Sequence, residues 1–138
     1  MNPVMIIALL LLAVFVVTFL TTSAHSRGPT RAQRKAYDEA ATLLSRAYGA
    51  ESFGNSALAA SQFGRALYYA RISGDAFSTS ESLYGLARLR IQNSDGKAAI
   101  PLIEEALALE PQWYTSKPSF SQGMRQDLDK AKELATQQ

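Results

Sequence analysis

The sequence repeats itself at a spacing of 40 residues, and this repetition strongly limits the folds open to it. Residues 54–67 and 94–107 each begin with a turn-forming pair and continue with small and apolar residues at matching positions. The matched pairs are Gly54/Ser94, Asn55/Asp95, Ala59/Ala99, Phe63/Ile103, Ala66/Ala106 and Leu67/Leu107, and further upstream Leu43/Leu83, Leu44/Tyr84 and Ala47/Ala87. A fixed period of this size is typical of helical-repeat arrays, in which each unit buries its apolar face against the next.

Apolar residues recur at helical spacing in five stretches beyond residue 30, and no stretch alternates as a strand would, so we expect an all-α fold. The first helix should run from Arg31 to about Ser52. The second should be capped by Asn55 or Ser56 and should end near Gly74, which can take the left-handed position that closes a helix.

The third and fourth helices are expected on either side of a turn at residues 93–96. Residues 78–81 offer several N-caps for the third helix. Pro101 interrupts the fourth helix, because proline lacks the amide that would bond the carbonyl of Lys97. We therefore expect a kink there, or a helix that effectively begins late, and we expect Pro111 to end it.

A fifth amphipathic helix is expected around residues 120–135, capped by Ser119 or Ser121. Residues 114–138 would then cap the array at its C-terminal end. Trp113 and Tyr114 stand just before this segment, and aromatic residues in such a place usually pack under the final helix, although an exposed interface role is the alternative.

Composition excludes several classes of function. Net charge is only +2, which does not indicate nucleic-acid binding. The chain has no Cys and one His, so thiolate chemistry, disulfides and His-rich metal sites are excluded. Adjacent Glu104 and Glu105 splay apart on a helix, and no Gly-rich phosphate loop occurs. We expect no enzyme activity, no cofactor, no metal and no small-molecule substrate.

The N-terminus carries an apolar run long enough to cross a bilayer. Residues 4–20 are apolar except for Thr18, and every charged side chain lies at or beyond Arg27. Including the mildly polar residues 21–24, the run approaches the ~20 residues that a spanning helix needs. Residues 1–24 are therefore predicted to be a single transmembrane anchor, in contact with lipid through residues 4–24, and residues 25–30 a linker.

A cleaved signal peptide is the competing interpretation, since Thr22-Ser23-Ala24 places small residues where a signal peptidase cuts. The absence of Lys or Arg before the run and its length favour the uncleaved anchor. Cationic residues follow the run, which places the domain beyond it in the cytoplasm by the positive-inside rule, with a periplasmic or lumenal domain as the alternative. The same residues could contact anionic lipid headgroups. They are Arg27, Arg31, Arg34 and Lys35.

The two units resemble tetratricopeptide (TPR) repeats. In the second unit, residues 80–113, the resemblance is carried by Leu83, Leu86, Ala87, Ala99, Ile103, Ala106 and Pro111, with Arg90 departing from the tyrosine that is usual there. The first unit matches at Ala59, Phe63 and Ala66 and more loosely in its first helix. The resemblance implies two TPR-like helix pairs within residues 31–113. It is specific for a fold and weak for a function.

TPR proteins bind peptides and proteins on a concave surface lined mainly by the first helix of each pair. Carried onto this sequence, that surface corresponds to Leu44, Tyr48, Glu51, Tyr84, Arg88 and Gln92. We therefore expect a membrane-anchored adaptor, an accessory or scaffold subunit that contacts other proteins of a membrane complex. A secreted or periplasmic TPR-type binding protein with a cleaved signal is the alternative. The same six residues could instead form a solvated face or lie beneath the C-terminal helix.

Overall fold

The computed structural model describes residues 28–137, and these residues form helices without any strand. The expected all-α fold is confirmed over this range. The five α-helices are α1 (Arg31–Ser52), α2 (Ser56–Ser73), α3 (Ala76–Gln92), α4 (Gly96–Ala108) and α5 (Pro118–Thr136), with single 3-10 turns at Glu110–Gln112 and Tyr114–Ser116 between the last two.

The predicted membrane segment at residues 4–24, its alternative cleavage site at residues 22–24 and Arg27 lie outside the described residues. Within residues 28–137, no helix combines the length and the apolar character that crossing a bilayer requires.

The 40-residue repeat of the sequence is also a repeat of backbone geometry. Asn55 and Asp95 cap α2 and α4 with nearly the same φ and ψ, −88° and 75° against −93° and 72°. The residues before them, Gly54 and Ser94, both have positive φ, 73° and 58°. The backbone hydrogen bonds of the turn also recur 40 positions on. Gly54 N donates to Glu51 O and Ser94 N donates to Ile91 O, at 2.9 Å each. Asn55 N donates to Ala50 O at 2.9 Å, and Asp95 N donates to Arg90 O at 2.8 Å.

Core positions of the two repeats correspond in the same way. Each helix packs on its neighbour in the chain, and α3 also touches α1 and α5. Small residues at the helix crossings are fully buried in both units, which lets the backbones approach closely. The buried pairs are Leu43/Leu83, Ala47/Ala87, Ala59/Ala99, Phe63/Ile103 and Ala66/Ala106.

The start of α3 differs from the sequence prediction. The helix begins at Ala76, and its cap is Asp75, whose side chain accepts a hydrogen bond from Ser78 N at 2.7 Å. The hydroxyls expected to cap the helix instead lie inside it. Thr79 bonds back to the carbonyl of Asp75 at 2.8 Å, and Ser80 reaches across to the carbonyl of Ala106 at 3.0 Å. The Asp75 carboxylate therefore caps this helix one turn before the predicted residues.

Pro101 lies inside a helix, and Pro118 begins one. The fourth helix starts at Gly96 and continues through Pro101 to Ala108, so the late start is wrong. The fifth helix begins at Pro118, with no side-chain capping bond. Proline suits the first helical position because its missing amide would be unpaired there. Ser121, one of the two expected caps, instead donates to the Glu110 carboxylate, which also accepts from Arg125, and Glu110 is half-buried.

The C-terminal helix α5 covers the outer side of α4. A Cβ placed on Gly96 would lie 2.2 Å from the carbonyl oxygen of Ala131, so only glycine permits this approach. Met124 and Ala131 are fully buried in the second-repeat core. Trp113 is buried with them and donates its indole N–H to Ser80 Oγ at 3.0 Å, whereas Tyr114 is exposed. The expectation that these aromatics pack under the final helix is therefore correct for Trp113 only.

Candidate functional site

The side of the domain formed by α1, α3 and α5 carries the six residues predicted to bind partners, and we call it the inner face. All six lie on α1 and α3, the first helix of each repeat. The structure divides them into two that are buried and four that contact one another.

Leu44 and Tyr84 are largely buried, and the small exposed part of Leu44 faces the concavity described below. Leu44 belongs to the first-repeat core beside Leu43 and Ala47. Tyr84 lies beneath α5, where its hydroxyl donates to Asp127 Oδ2 at 2.7 Å. Its ring also meets Phe120 edge-on, with centroids 5.4 Å apart. The alternative in which the C-terminal helix packs over the predicted surface thus holds at Tyr84.

The remaining four residues meet around the Arg88 guanidinium. Its Nη2 lies 2.6 Å from Glu51 Oε2, and Gln92 donates to the other oxygen of the same carboxylate at 3.4 Å. The guanidinium also lies between two aromatic rings, 5.3 Å from the centroid of Tyr48 and 5.2 Å from that of Tyr84. We call Tyr48, Glu51, Tyr84, Arg88 and Gln92 the Arg88 cluster. It joins α1 to α3, and therefore the first repeat to the second.

Burial also sets the ionisation of this region. Loss of solvent raises the pKa of the Tyr48 and Tyr84 hydroxyls well above their usual 10.0, and the nearby Glu81 and Asp127 carboxylates raise it further. Burial likewise raises the pKa of Glu81 above its usual 4.5, opposed by the hydrogen bond from the Tyr48 hydroxyl at 3.1 Å. Both tyrosines therefore remain neutral hydrogen-bond donors at neutral pH.

An open concavity of about 310 Å³ lies on the inner face between α1 and the first turns of α3. We call it the inner groove, and its lining residues are Tyr37, Ala41, Leu44, Ser45, Tyr48, Phe77, Ser78 and Glu81. Tyr37 is about half exposed, and the Lys117 ammonium lies 5.7 Å from the centre of the Phe77 ring. The groove therefore combines aromatic walls with a carboxylate and a nearby ammonium.

Sequence reasoning placed Tyr48 and Leu44 at this groove but missed Tyr37, Phe77 and Glu81. The sequence does not predict Phe77 as a groove residue because the caps at 78–81 place the start of the third helix after it. Asp75 is the signal that could have included Phe77. An Asp side chain can cap a helix by accepting a hydrogen bond from the amide three residues later, here that of Ser78. Tyr37 lies one position outside the apolar stripe of α1. It lines the groove only because α3 packs beside α1.

The other predicted positions are placed as follows. Arg31, Arg34 and Lys35 lie on the exposed first turns of α1, as lipid-headgroup contact would require. No group of three or more His, Cys, Asp or Glu side chains in residues 28–137 is arranged to hold a metal ion. The aromatic walls of the inner groove can pack an apolar side chain, and its charged groups can hydrogen-bond to a polypeptide.

Comparisons with protein-family models, with curated proteins and with solved structures found no match.

Proposed function

We propose that this chain is a TPR-like adaptor, held at a membrane by residues 4–24, that binds a segment of another protein on its inner face. The TPR-like assignment is supported by the 40-residue recurrence of caps, turns and buried small residues in the two helix pairs. Repeat arrays of this kind form extended concave surfaces that bind other proteins.

The observation that carries the proposal is the inner groove. Tyr37 is about half exposed on one wall, and Phe77 lies half-buried on the other. Aromatic residues in a partly desolvated pocket are the residue types that anchor protein interfaces. The Arg88 cluster joins α1 to α3 through the Arg88–Glu51 ion pair and the two aromatic rings, so we assign it to positioning the groove.

The proposed partner is another subunit of a membrane complex. Arg31, Arg34 and Lys35 are exposed next to the linker, which supports the proposal that they contact anionic headgroups and keep the domain close to the bilayer on its cytoplasmic side.

Copurification of the full chain in mild detergent tests the adaptor function. We expect one or more different proteins at fixed stoichiometry, and we expect Tyr37→Glu to release them because it places a charge on the apolar wall of the groove. Tyr68→Glu is the matched control, since Tyr68 is exposed on α2 away from the groove. Recovery of this chain without any other protein, or equal loss with both variants, contradicts the proposal.

The alternative, a secreted or periplasmic binding protein, is favoured by the small residues Thr22-Ser23-Ala24. The intact mass of the protein isolated from cells decides between the two. A chain that begins at residue 25 supports the secreted protein, and a chain that retains Met1 excludes it.

A further inference from the structure

The carboxylate of the inner groove, Glu81, has no cation in contact with it. Glu81 forms no ion pair within residues 28–137, whereas the neighbouring Glu51 is paired with Arg88 at 2.6 Å. The one hydrogen bond that the described residues give the Glu81 carboxylate comes from the Tyr48 hydroxyl, to Oε1 at 3.1 Å. The other oxygen, Oε2, is therefore open to a donor from outside the described chain.

Partial burial makes the negative charge of Glu81 costly. Loss of solvent raises the pKa of this carboxyl above its usual 4.5, because burial disfavours the charged form. The hydrogen bond from Tyr48 and the more distant charges of Lys117 and Arg88 oppose this effect, and Asp75 adds to it. A cation in direct contact with Glu81 would offset the lost hydration.

Aromatic rings stand on both sides of the Glu81 carboxylate. Tyr37 lines the groove from α1, and Phe77 lies four residues before Glu81 on α3, on the same side of that helix. Tyr37 is 49% exposed, which leaves its ring free for a further contact. The face of an aromatic ring attracts a cation and also packs the methylene stem that carries it. A carboxylate between such rings suits a lysine or arginine side chain.

The chain already places one ammonium against a wall of the groove. Lys117 Nζ lies 5.7 Å from the centre of the Phe77 ring, but Lys117 does not form an ion pair with Glu81 among the described residues. The Lys117 side chain is exposed and carries its charge on a flexible four-carbon stem, so it can leave the ring at little cost. We therefore expect Lys117 to compete with any cation that a partner brings to the groove.

We propose that the inner groove binds a basic side chain, lysine or arginine, of the partner polypeptide. Glu81 Oε2 accepts its N–H groups, and the rings of Tyr37 and Phe77 pack its stem. Tyr48 acts as a positioning residue, because its hydroxyl holds Glu81 Oε1. Such binding rests on the proposed adaptor function, and it names the class of residue that the groove selects. An acidic side chain at the same place would be repelled by Glu81.

Removing the charge of Glu81 tests the proposal, with the protein that copurifies with the full chain in mild detergent as the probe. Glu81→Gln keeps an oxygen that can accept from Tyr48 but is neutral, and we expect it to weaken binding of the probe by about tenfold, since hydrogen bonds to charged groups are the stronger ones. Glu104→Gln is the matched control, because Glu104 is exposed on α4 outside the groove. Equal binding by the unaltered chain and Glu81→Gln overturns the proposal.

Substitution of Lys117 gives a readout of opposite sign. Lys117→Gln should strengthen binding of the same probe because it removes the competing ammonium, and Lys117→Glu should strengthen it further. A loss of folding in either variant would weaken binding, so a gain reports on charge. Weaker binding by both variants would mean that the groove takes an acidic side chain, which overturns the proposal.

Photocrosslinking in the native membrane identifies the bound residue directly. A photoreactive phenylalanine analogue at Ser45, which lines the groove, should crosslink to a partner peptide with a lysine or arginine next to the attachment point. The same analogue at Tyr68, exposed on α2 outside the groove, should not give that peptide. A crosslinked peptide from position 45 that lacks a neighbouring basic residue contradicts the proposal.

Failure of the basic-residue site is distinguishable from failure of the adaptor function. Recovery of no other protein with the unaltered chain contradicts both. A partner that Tyr37→Glu releases, but that the unaltered chain and Glu81→Gln hold equally, keeps the adaptor function and excludes a basic side chain in the groove.

Discussion

Arg88 shows how a single residue links the two repeats. Its guanidinium contacts a carboxylate and two aromatic rings, which come from α1 and from α3 itself. The ion pair with Glu51 is partly shielded, with side-chain exposures of 28% and 17%, whereas the equally short Arg71–Glu105 pair is 54% and 48% exposed. Solvent weakens the second pair much more than the first. The two pairs therefore form a natural comparison.

We predict that Arg88→Ala lowers the free energy of unfolding by about 2 kcal/mol, because it leaves a half-buried carboxylate unpaired and removes the stacked guanidinium. Arg71→Ala, which removes an exposed pair of the same 2.6 Å length, should cost less than about 1 kcal/mol. Urea unfolding of both variants measures the difference. Equal losses would show that the Arg88 cluster contributes no more than a surface ion pair.

At the scale of the helices, the contact between the two repeats depends on a missing side chain. The ring of Phe63 on α2 is fully buried against Gly85 on α3. A Cβ placed on Gly85 would lie 2.4–2.6 Å from three atoms of that ring. Because Phe63 is enclosed by the core, the ring cannot move aside without displacing other residues. This glycine therefore sets how closely α2 and α3 approach.

Gly85→Ala should destabilise the protein by about 1–2 kcal/mol, since the cost of overpacking exceeds the gain in helix propensity. Gly64→Ala on α2 is the matched control, because a Cβ there meets nothing within 4 Å. That substitution should stabilise by about 0.5–1 kcal/mol through propensity alone. Thermal melts of the two variants should shift in opposite directions, and a shift in the same direction would contradict the close approach.

At the scale of the whole domain, α5 closes the array. It covers Tyr84 on the inner face and the outer side of α4, and it completes the environment of Trp113, whose ring lies 5.4 Å from that of Phe120. Trp113 is the one tryptophan of the sequence, so its fluorescence reports on this junction without interference.

Deleting residues 118–138 should shift the emission of Trp113 to longer wavelength and lower the unfolding midpoint, because water reaches the indole when α5 is absent. Deleting only residues 137–138 should leave both unchanged, since α5 ends at Thr136. An unshifted emission in the longer deletion would mean that α3 and α4 bury Trp113 by themselves.

Local features of the fold could be predicted from the sequence because they depend on residues close together in the chain. Helical periodicity, the Asn55 cap and the left-handed Gly74 rest on interactions within about one helical turn, and the structure confirms each of them. The 40-residue repeat follows directly from the order of residues, and the matching turns at Gly54 and Ser94 confirm it. The cap of α3 is also local, but Asp75 competes with the polar residues at 78–81, and residue type alone does not decide between them.

The use of each face was decided only by tertiary structure. Tyr84 and Asp127 are 43 residues apart, and Arg88 and Glu51 are 37 apart, so no local pattern could show that these pairs meet. The sequence alone determined that the described part is helical, roughly where each helix lies, which stripe of each is apolar and that the unit occurs twice. The packing of α5 and of α3 against α1 determined which predicted binding residues are buried and where the inner groove opens, because coverage of a face depends on distant segments.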